Sequence, residues 1–369
     1  MRSFSDIARR HERIPLHTVQ LLTSVDNSRG REELFRTQAP QVLERLAART
    51  RFDSITASSA IEDVVLDDDR ALELVRGGAT GAYANRSESE FAGYRDAIDY
   101  LVAKDPEPLS VPLVLHVHRT LMRHTEDPSA GKTKAIDNFI GTRNADGSRT
   151  VIFETVPAGR PTQWQLAELV ARYEQAVGER RVPVLLLVAA LIVDFLTIHP
   201  FEEGNGRVAR LLTINEMLRH GYGVARYVSI EQRIFDSKNS YYLALRDSQS
   251  GWHDAQHDLA PWTEYLLRII EDAYADFEQR VAAGTELIGT TKRDQARNYV
   301  LRQAPRRFRF AQIVDALPDI SQATIRDALE DLRGDGQLTV GRGRTAKWER
   351  TDSAQRQLGL DTPRRTPGA

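Results

Sequence analysis

The sequence contains no cysteine among its 369 residues. Without cysteine there is no disulfide framework, no thiolate nucleophile and no cysteine-ligated zinc, so these chemistries are excluded. Long apolar runs are also lacking. The longest, from Val184 to Val193, is well short of the roughly 20 residues of a membrane-spanning helix. We therefore expect no transmembrane anchor and interpret this run as a buried helix.

Neither a targeting segment nor a strong charge excess is present. The N-terminal sequence MRSFSDIARRHER mixes charged and apolar residues and lacks the apolar core of a secretory signal. This pattern predicts a cytoplasmic protein with no membrane partner. The formal net charge of -2 does not indicate a nucleic-acid partner for the chain as a whole. The length allows two or three hydrophobic cores.

Helical spacing of apolar residues dominates the chain. It predicts a helical N-terminal region over residues 1–105, further helices from Ser110 and over residues 230–285, and a helix from Thr162 with the threonine as its cap. The apolar helix that Pro183 begins should end at His199, because Pro200 disfavours helical geometry there. Another helix is expected from about Gly206 to a glycine cap at Gly221.

Two short segments have the composition of strands. They are Ile136 to Ile140 and Thr150 to Val156, and Asp146-Gly147 between them is a hairpin-turn signal. We predict a small β-hairpin here. From its chemistry alone, it fits an ordinary surface hairpin as well as a functional one.

The C-terminal part resembles a separate module. FAQIVDAL predicts a short helix, Ser321 to Leu332 a capped second helix, and QLTVGRGRTAKWER a two-stranded wing with a glycine-rich tip. The pattern is similar to a winged helix-turn-helix domain. The tail of residues 351–369 is predicted to be disordered.

The densest group of reactive side chains is HPFEEGNGRVAR, from His199 to Arg210. If one helix ends at His199 and the next begins near Gly206, the glycines Gly204 and Gly206 allow backbone N–H groups to face an anion at a helix N-terminus. Arg207 and Arg210, three residues apart, share one helix face and suit phosphate oxygens.

The same segment supplies a base and a metal ligand. The carboxylate of Glu203 beside the anion site suits Mg²⁺, which binds one or two carboxylates together with substrate phosphates. His199, with an ordinary pKa near 6.5, can accept a proton from a hydroxyl at neutral pH. Phe201 is expected to anchor the loop in the core.

This segment matches the Fic family signature HxFx(D/E)GNGRxxR at every defined position. The resemblance implies a helical bundle with a β-hairpin flap, and transfer of AMP from ATP to a Ser, Thr or Tyr hydroxyl of a target protein. It implies that His199 is the general base and that Glu203 binds Mg²⁺. Gly204, Asn205 and Gly206 would then hold the α- and β-phosphates, and Arg207 and Arg210 the β- and γ-phosphates.

Further family features are recognisable around the predicted hairpin. Thr150, Val151, Ile152 and Phe153 occupy the flap position, where an extended target segment adds as a strand. The preceding GKTKAIDNFIG departs from the family's G-x-F/Y-R-x-x-x-x-W-I-G in carrying Thr133, Lys134 and Phe139 at the aromatic, arginine and tryptophan positions.

In SKNSYYLALRD, Tyr241 and Tyr242 resemble family residues that border the adenine pocket. Aromatic packing within a helix is the alternative reading of these two side chains.

A second motif concerns regulation. SSAIED resembles the family's inhibitory motif (S/T)xxxE(G/N), with Ser58 and Glu62 in place and Asp63 where glycine or asparagine is usual. The resemblance implies that Glu62 pairs with Arg210 and competes with the γ-phosphate, so that ATP binds in an unproductive pose. A solvated helix glutamate is the alternative.

The resulting hypothesis is an autoinhibited protein adenylyltransferase whose substrates are ATP and a hydroxyl-bearing protein, with a homodimer as a possible assembly. Removal of AMP from modified proteins, or transfer from another nucleotide, stays open. A DNA-binding regulator is the alternative of a different class, although the second winged-helix helix carries Asp327, Glu330 and Asp331 beside Arg326 and Arg333.

We divide the chain accordingly. The parts are an N-terminal helical region with the inhibitory motif (1–105), a Fic catalytic core (106–230), a helical extension (231–289), the winged helix-turn-helix (290–350) and the tail (351–369).

Overall fold

The computed structural model describes residues 1–10, 14–77, 83–103, 105–143, 148–285, 291–341, 347–352 and 354. These residues divide into two compact units. The first comprises Met1–Glu33 and Thr50–Ala275, and the second comprises the described residues within Leu34–Arg49 and Asp276–Ala369.

The fold is mainly helical, as the apolar spacing predicted. The α-helices are α1 (Ile7–Arg10), α2 (Leu16–Gln38), α3 (Pro40–Ile61), α4 (Asp68–Val75), α5 (Arg86–Ala103), α6 (Val111–Leu121), α7 (Arg160–Glu179), α8 (Val184–Ile198), α9 (Asn205–Arg219), α10 (Ile230–Asp236), α11 (Lys238–Gln249), α12 (Ala260–Thr285), α13 (Lys292–Arg302), α14 (Phe310–Ala316) and α15 (Gln322–Gly334). A 3-10 turn at Gly223–Arg226 follows α9. Among the described residues, no helix has the length and apolar character needed to cross a membrane.

The apolar run of the sequence lies at the centre of the first unit. Every residue of α8 from Leu185 to Ile198 is buried. This helix packs against α7, α9 and α11, while α9 also packs against α5 and α6. The start at Pro183 and the end at His199 agree with the prediction, and Gly221, at φ 82°, follows the end of α9. The loop between α8 and α9 is therefore held by two buried helices.

One predicted cap is wrong. Thr162 lies inside α7, which begins at Arg160 after Gly159 at φ 76°. The Thr162 hydroxyl donates to the carbonyl of Pro157 at 2.6 Å instead of accepting from the helix amides. The left-handed glycine and Pro161 in the first turn start this helix without a side-chain cap.

The predicted hairpin is confirmed with a shift in its first strand. Strands β1 (Phe139–Arg143) and β2 (Arg149–Glu154) pair antiparallel. The first strand begins three residues later than Ile136, because the Lys134 N–H and the Asn138 side chain donate to the Pro200 and Phe201 carbonyls of the α8–α9 loop. The predicted turn at Asp146-Gly147 lies outside the described residues.

The second unit contains the predicted C-terminal helices and strands. Strands β3 (Arg307–Phe308), β4 (Leu338–Val340) and β5 (Trp348–Arg350) form an antiparallel sheet in the order β3-β5-β4. Its apolar core includes Val300, Phe308, Ile313, Leu329 and Leu332. The glycine-rich wing tip lies outside the described residues, as does the predicted disordered tail except for residues 351, 352 and 354.

Candidate active site

The loop from His199 to Gly204 reverses the chain between α8 and α9. His199 ends α8 in the left-handed conformation at φ 51° and ψ 61°. Gly204 precedes α9 at φ 78°, and a Cβ on it would lie 3.1 Å from Leu121 Cδ2. Both the backbone angle and the close approach favour glycine there. The result is a compact turn that brings His199 and the start of α9 together.

Phe201 and Asn205 hold this turn in shape. Phe201 is fully buried, as predicted. Its N–H donates to Asn205 Oδ1 at 2.9 Å, and Asn205 Nδ2 donates to the Phe201 carbonyl at 2.8 Å. The side chain of Asn205 is thus engaged within the loop. Its backbone N–H, not its side chain, is the group in position to face a phosphate.

His118 on α6 supports the loop and was missed by the sequence reasoning. Its ring stacks on Phe201 with centroids 3.8 Å apart, and its Nε2 lies 3.2 Å from the Glu203 carbonyl. The Gly131 N–H donates to Nδ1 at 2.9 Å, so Nε2 carries the proton. Burial lowers the pKa of His118 to about 4, which keeps the ring neutral. No local pattern marks this residue, because its contacts arise only when α6 packs beside the loop.

The start of α9 presents donors for an anion. The first helical bond runs from the Val208 N–H to the Gly204 carbonyl at 2.9 Å, so the N–H groups of residues 205–207 have no partner within the helix. Arg207 and Arg210 are buried beside them. Among the described residues, Arg207 Nε and Arg210 Nη1 are buried donors without a hydrogen-bond partner. Such donors suit a multivalent anion that enters from outside the protein.

Two charged residues of helix α5, Arg86 and Glu90, form ion pairs with residues of this anion site. Arg86 pairs with Glu203 of the loop and, at 2.7 Å, with Glu90 one turn along α5. Glu90 also binds Arg207, with Oε2 and Nη1 2.9 Å apart. Glu203 is half exposed and stands in the loop directly before Gly204 and the start of α9. A hard oxygen donor in that position fits Mg²⁺ shared with phosphates. Neither Arg86 nor Glu90 was identified from the sequence.

The imidazole of His199 is set up to accept a proton. Its Nδ1 lies 3.1 Å from the Leu196 carbonyl, an acceptor, so Nδ1 carries the hydrogen and Nε2 has the free lone pair. Burial and the charge of Lys134 lower the pKa of His199 to about 4, against the opposite effects of the Leu196 carbonyl and Glu62. At neutral pH the ring is therefore in its basic form.

Ser58 and Glu62 both bind Arg210. Arg210 Nε donates to the Ser58 hydroxyl at 2.9 Å and Nη2 to the Ser58 carbonyl at 3.1 Å. Nη2 also donates to Glu62 Oε1 at 3.0 Å. A Cβ on Gly206 would lie only 2.5 Å from that oxygen, so the carboxylate is placed directly over the first turn of α9. Glu62 therefore occupies the space next to the N–H groups that could bind an anion.

The local backbone explains the residue after Glu62. Asp63 follows the end of α3 at φ 61°, and the Val64 N–H closes the helix on the Ser59 carbonyl at 3.0 Å. Glycine and asparagine favour this left-handed conformation, and aspartate tolerates it better than most residues. The unusual Asp63 is therefore compatible with the geometry of the motif.

The flap residues and the paired tyrosines have different environments. In β2, Thr150, Val151 and Ile152 are exposed, whereas Phe153 stacks on His253 with centroids 5.0 Å apart. Exposed apolar side chains on a short hairpin suit contact with another chain.

Tyr241 is buried near Arg210, packed on Trp262, while Tyr242 is 45% exposed. The cavity that Tyr241 and Arg210 line measures about 10 Å³, room for one water and not for a base. In this conformation that cavity is not a nucleobase pocket.

Residues 108–217 match the Fic/DOC family. They form a Fic domain. The Fic domain contains α6, the β1–β2 flap, α7, α8, the loop with His199 and most of α9. Ser58 and Glu62 lie outside it, on the N-terminal side.

Curated relatives share this domain at modest identity. Protein adenylyltransferase fic-1 of Caenorhabditis briggsae is 24% identical over 245 residues, which cover 64% of this chain and 43% of the relative. Protein adenylyltransferase Fic of Nematostella vectensis is 24% identical over 267 residues, covering 69% and 56%. The chain thus spans about half the length of the curated relatives that it matches.

Solved structures share the fold. A Fic family protein from Desulfovibrio desulfuricans G20 superposes with a TM-score of 0.58 at 21% identity, covering 92% of this chain and 97% of that one. Fic-1 (residues 134–508) from Caenorhabditis elegans superposes with a TM-score of 0.56 at 21% identity, covering 73% of each chain.

Proposed function

We propose that this chain is a protein adenylyltransferase that transfers AMP from ATP to a Ser, Thr or Tyr hydroxyl of a target protein. The single observation that carries the proposal is the convergence of His199, the amides at the start of α9 and the buried donors of Arg207 and Arg210 around one short loop. The curated relatives are named adenylyltransferases, which supports the same reaction.

The phosphates of ATP are proposed to lie on the N-terminal turn of α9. The amides of residues 205–207 would hold the α- and β-phosphates, and Arg207 and Arg210 the β- and γ-phosphates. When bound, Mg²⁺ would be held by Glu203 and the phosphates and would offset their negative charge. Charge on the phosphates grows in the transition state, so fixed donors lower the barrier as well as bind the substrate.

His199 is proposed to accept the proton of the target hydroxyl at Nε2 while the hydroxyl oxygen attacks the α-phosphorus. The bond from that phosphorus to the bridging oxygen breaks, and pyrophosphate leaves. The exposed Val151 and Ile152 on β2 are proposed to position an extended target segment beside the base.

Glu62 is proposed to inhibit this transfer. It binds the Nη2 of Arg210, which would otherwise be available to the γ-phosphate. Ser58 accepts from the same guanidinium, so two residues of one motif bind Arg210. Transfer then requires displacement of the Glu62 carboxylate.

The C-terminal unit is proposed to be a winged helix that contacts protein. The sequence of α13, α14 and α15 with a three-stranded antiparallel sheet supports the assignment. Several arginines of its described helices are engaged within the unit: Arg293 pairs with Asp331 at 2.5 Å, Arg333 with Glu330 at 3.2 Å, and Arg326 lies over the ring of Phe310. Paired arginines do not provide the counterion release that drives DNA binding.

The test uses ATP labelled separately at the α- and the γ-phosphate. Wild-type protein, Glu62→Gly and Glu62→Gly with His199→Ala are each incubated with Mg²⁺ and a cell lysate. AMP transfer predicts protein-bound label from α-labelled ATP that is strongest in Glu62→Gly and falls by about 100-fold or more without His199. Kinases of the lysate add γ-label equally in all three samples, so γ-label that is lost without His199 would show phosphoryl transfer by this protein. The absence of any label from α-labelled ATP that depends on His199 would contradict the proposal.

A further inference from the structure

Lys134 contacts both sides of His199. Its side chain is buried at 1% exposure, in the segment between α6 and β1. The Lys134 N–H donates to the Pro200 carbonyl at 2.8 Å, and its Nζ donates to the Ile198 carbonyl at 3.2 Å. These are the two carbonyls that flank His199 along the chain.

His199, which lies between these two carbonyls, has an unfavourable backbone conformation. His199 has φ 51°, in the left-handed region that is unfavourable for an L-residue. Such a conformation persists only where surrounding bonds enforce it. The two bonds from Lys134 restrain the Ile198–His199 and Pro200–Phe201 peptide groups, and so hold the backbone before and after the imidazole.

The same ammonium group joins the base of the flap to the loop. Nζ donates to Asn138 Oδ1 at 2.7 Å, just before β1, and to Thr155 Oγ1 at 2.8 Å, just after β2. Asn138 Nδ2 in turn donates to the Phe201 carbonyl at 2.8 Å. Both ends of the hairpin are therefore tied to the loop through one side chain.

The charge of Lys134 acts on the imidazole as well. Its hydrogen-bond acceptors are neutral oxygens, and burial lowers its pKa to about 8, against the opposite effect of Asp137, so it is cationic at pH 7. Among the described residues, the charged side chains with the main effects on the pKa of His199 are Lys134, which opposes protonation, and Glu62, which favours it. Replacing Glu62 by an uncharged residue removes the effect that counteracts Lys134.

We infer that Lys134 is a positioning residue for the transfer: its bonds fix His199 and the flap to one another, and its positive charge opposes protonation of the imidazole. The inference rests on the proposed function, since it assigns His199 the role of base. It assigns a role to Lys134, which stands at a position where the Fic family pattern has arginine.

The experiment compares Lys134→Met with Lys134→Arg, both in the Glu62→Gly protein. Methionine keeps much of the lysine volume and removes the charge, while arginine keeps the charge. The ¹⁵N NMR signals of His199, assigned by their loss in His199→Ala, give its pKa directly. In Lys134→Met that pKa should rise above its value in the Glu62→Gly parent, whereas in Lys134→Arg it should stay within half a unit of the parent value.

Two further readouts separate positioning from loss of the fold. Affinity for an ATP analogue should stay within twofold in Lys134→Met, because residues 204–210 are untouched, whereas labelling by α-labelled ATP should fall at least tenfold. Thr155→Val removes one acceptor and keeps the charge, so it should lower labelling without moving the His199 pKa. It serves as the test if Lys134→Met does not fold.

An unchanged His199 pKa in folded Lys134→Met would overturn the electrostatic part of the inference. Unchanged labelling in Lys134→Met, or in Thr155→Val where that variant is the test, would overturn the positioning part. If the parent Glu62→Gly protein labels nothing, the proposed function fails. The NMR titration still reports the effect of Lys134 on His199 in that case.

Discussion

Replacing Glu62 by glutamine is expected to strengthen the binding of triphosphate. The change removes one charge and keeps the shape of the side chain, so it weakens the 3.0 Å contact with Arg210 Nη2 without opening a cavity. Arg210 keeps its two bonds to Ser58. The guanidinium then exchanges Glu62 for the γ-phosphate more readily.

The expected gain in affinity can be worked out from the burial of Glu62 and Arg210. The Arg210 side chain is 3% exposed and the Glu62 side chain 33% exposed. A hydrogen bond to a charged group contributes about 1.5 to 3 kcal/mol, and the partial exposure of Glu62 favours the lower half of that range. A difference of about 1.5 to 2 kcal/mol corresponds to about 10-fold to 30-fold in affinity.

The assay is isothermal titration of a non-hydrolysable ATP analogue in the presence of Mg²⁺. The matched control is Asp63→Asn, which removes the neighbouring carboxylate. Asp63 is 92% exposed in its side chain and pairs with Lys238, not with Arg210. AMP, which lacks the β- and γ-phosphates, serves as the control ligand and should bind both variants as it binds the wild type.

Equal affinity of Glu62→Gln and wild type for the analogue would contradict competition between Glu62 and the γ-phosphate for Arg210. An equal gain in Asp63→Asn would also refute it, because it would show a general effect of net charge and not competition for Arg210.

Three further predictions concern the loop. Asn205→Ala leaves the buried Phe201 N–H without its acceptor, so the free energy of unfolding should fall by about 1 to 3 kcal/mol in urea denaturation, and a smaller loss would contradict this role. Arg86→Ala frees Glu203 from an exposed ion pair of at most about 1 kcal/mol, so half-maximal labelling should need up to about fivefold less Mg²⁺, and an increased requirement would contradict the competition. The unprotonated form of His199 acts as the base and its pKa is about 4, so labelling should persist as the pH falls from 8 to 5 and decline near pH 4; a decline centred at pH 6.5 would contradict the lowered pKa.

The contiguous part of the site could be predicted from the sequence because its geometry is local. Pro200 and the glycines at positions 204 and 206 specify where one helix ends and the next begins. The side chains on that turn then supply the imidazole, the carboxylate and the guanidinium groups on which the proposed chemistry rests. The apolar run of α8 likewise specified the buried helix that carries the loop.

The contacts that tune the site could not be predicted in this way. The pairing of Glu62 with Arg210 joins residues 148 positions apart and was anticipated only through the family resemblance. His118 stacks on the loop from α6, and Arg86 pairs with Glu203 from α5. Nothing in the spacing along the chain encodes such contacts, because they depend on how whole helices pack.

The start of β1 could not be predicted from the local sequence either. The apolar composition of Ile136 to Ile140 favours a strand, yet Asn138 bonds to the Phe201 carbonyl of a distant loop. Tertiary hydrogen bonds therefore override the local preference for strand.

The most direct test of the account is a crystal structure of Glu62→Gly with a non-hydrolysable ATP analogue and Mg²⁺. The account predicts phosphate oxygens on the N–H groups of residues 205–207, a phosphate contact from Arg210, Mg²⁺ on Glu203 and Nε2 of His199 facing the α-phosphorus. A nucleotide bound elsewhere, or phosphates at the loop with His199 turned away from them, would contradict it.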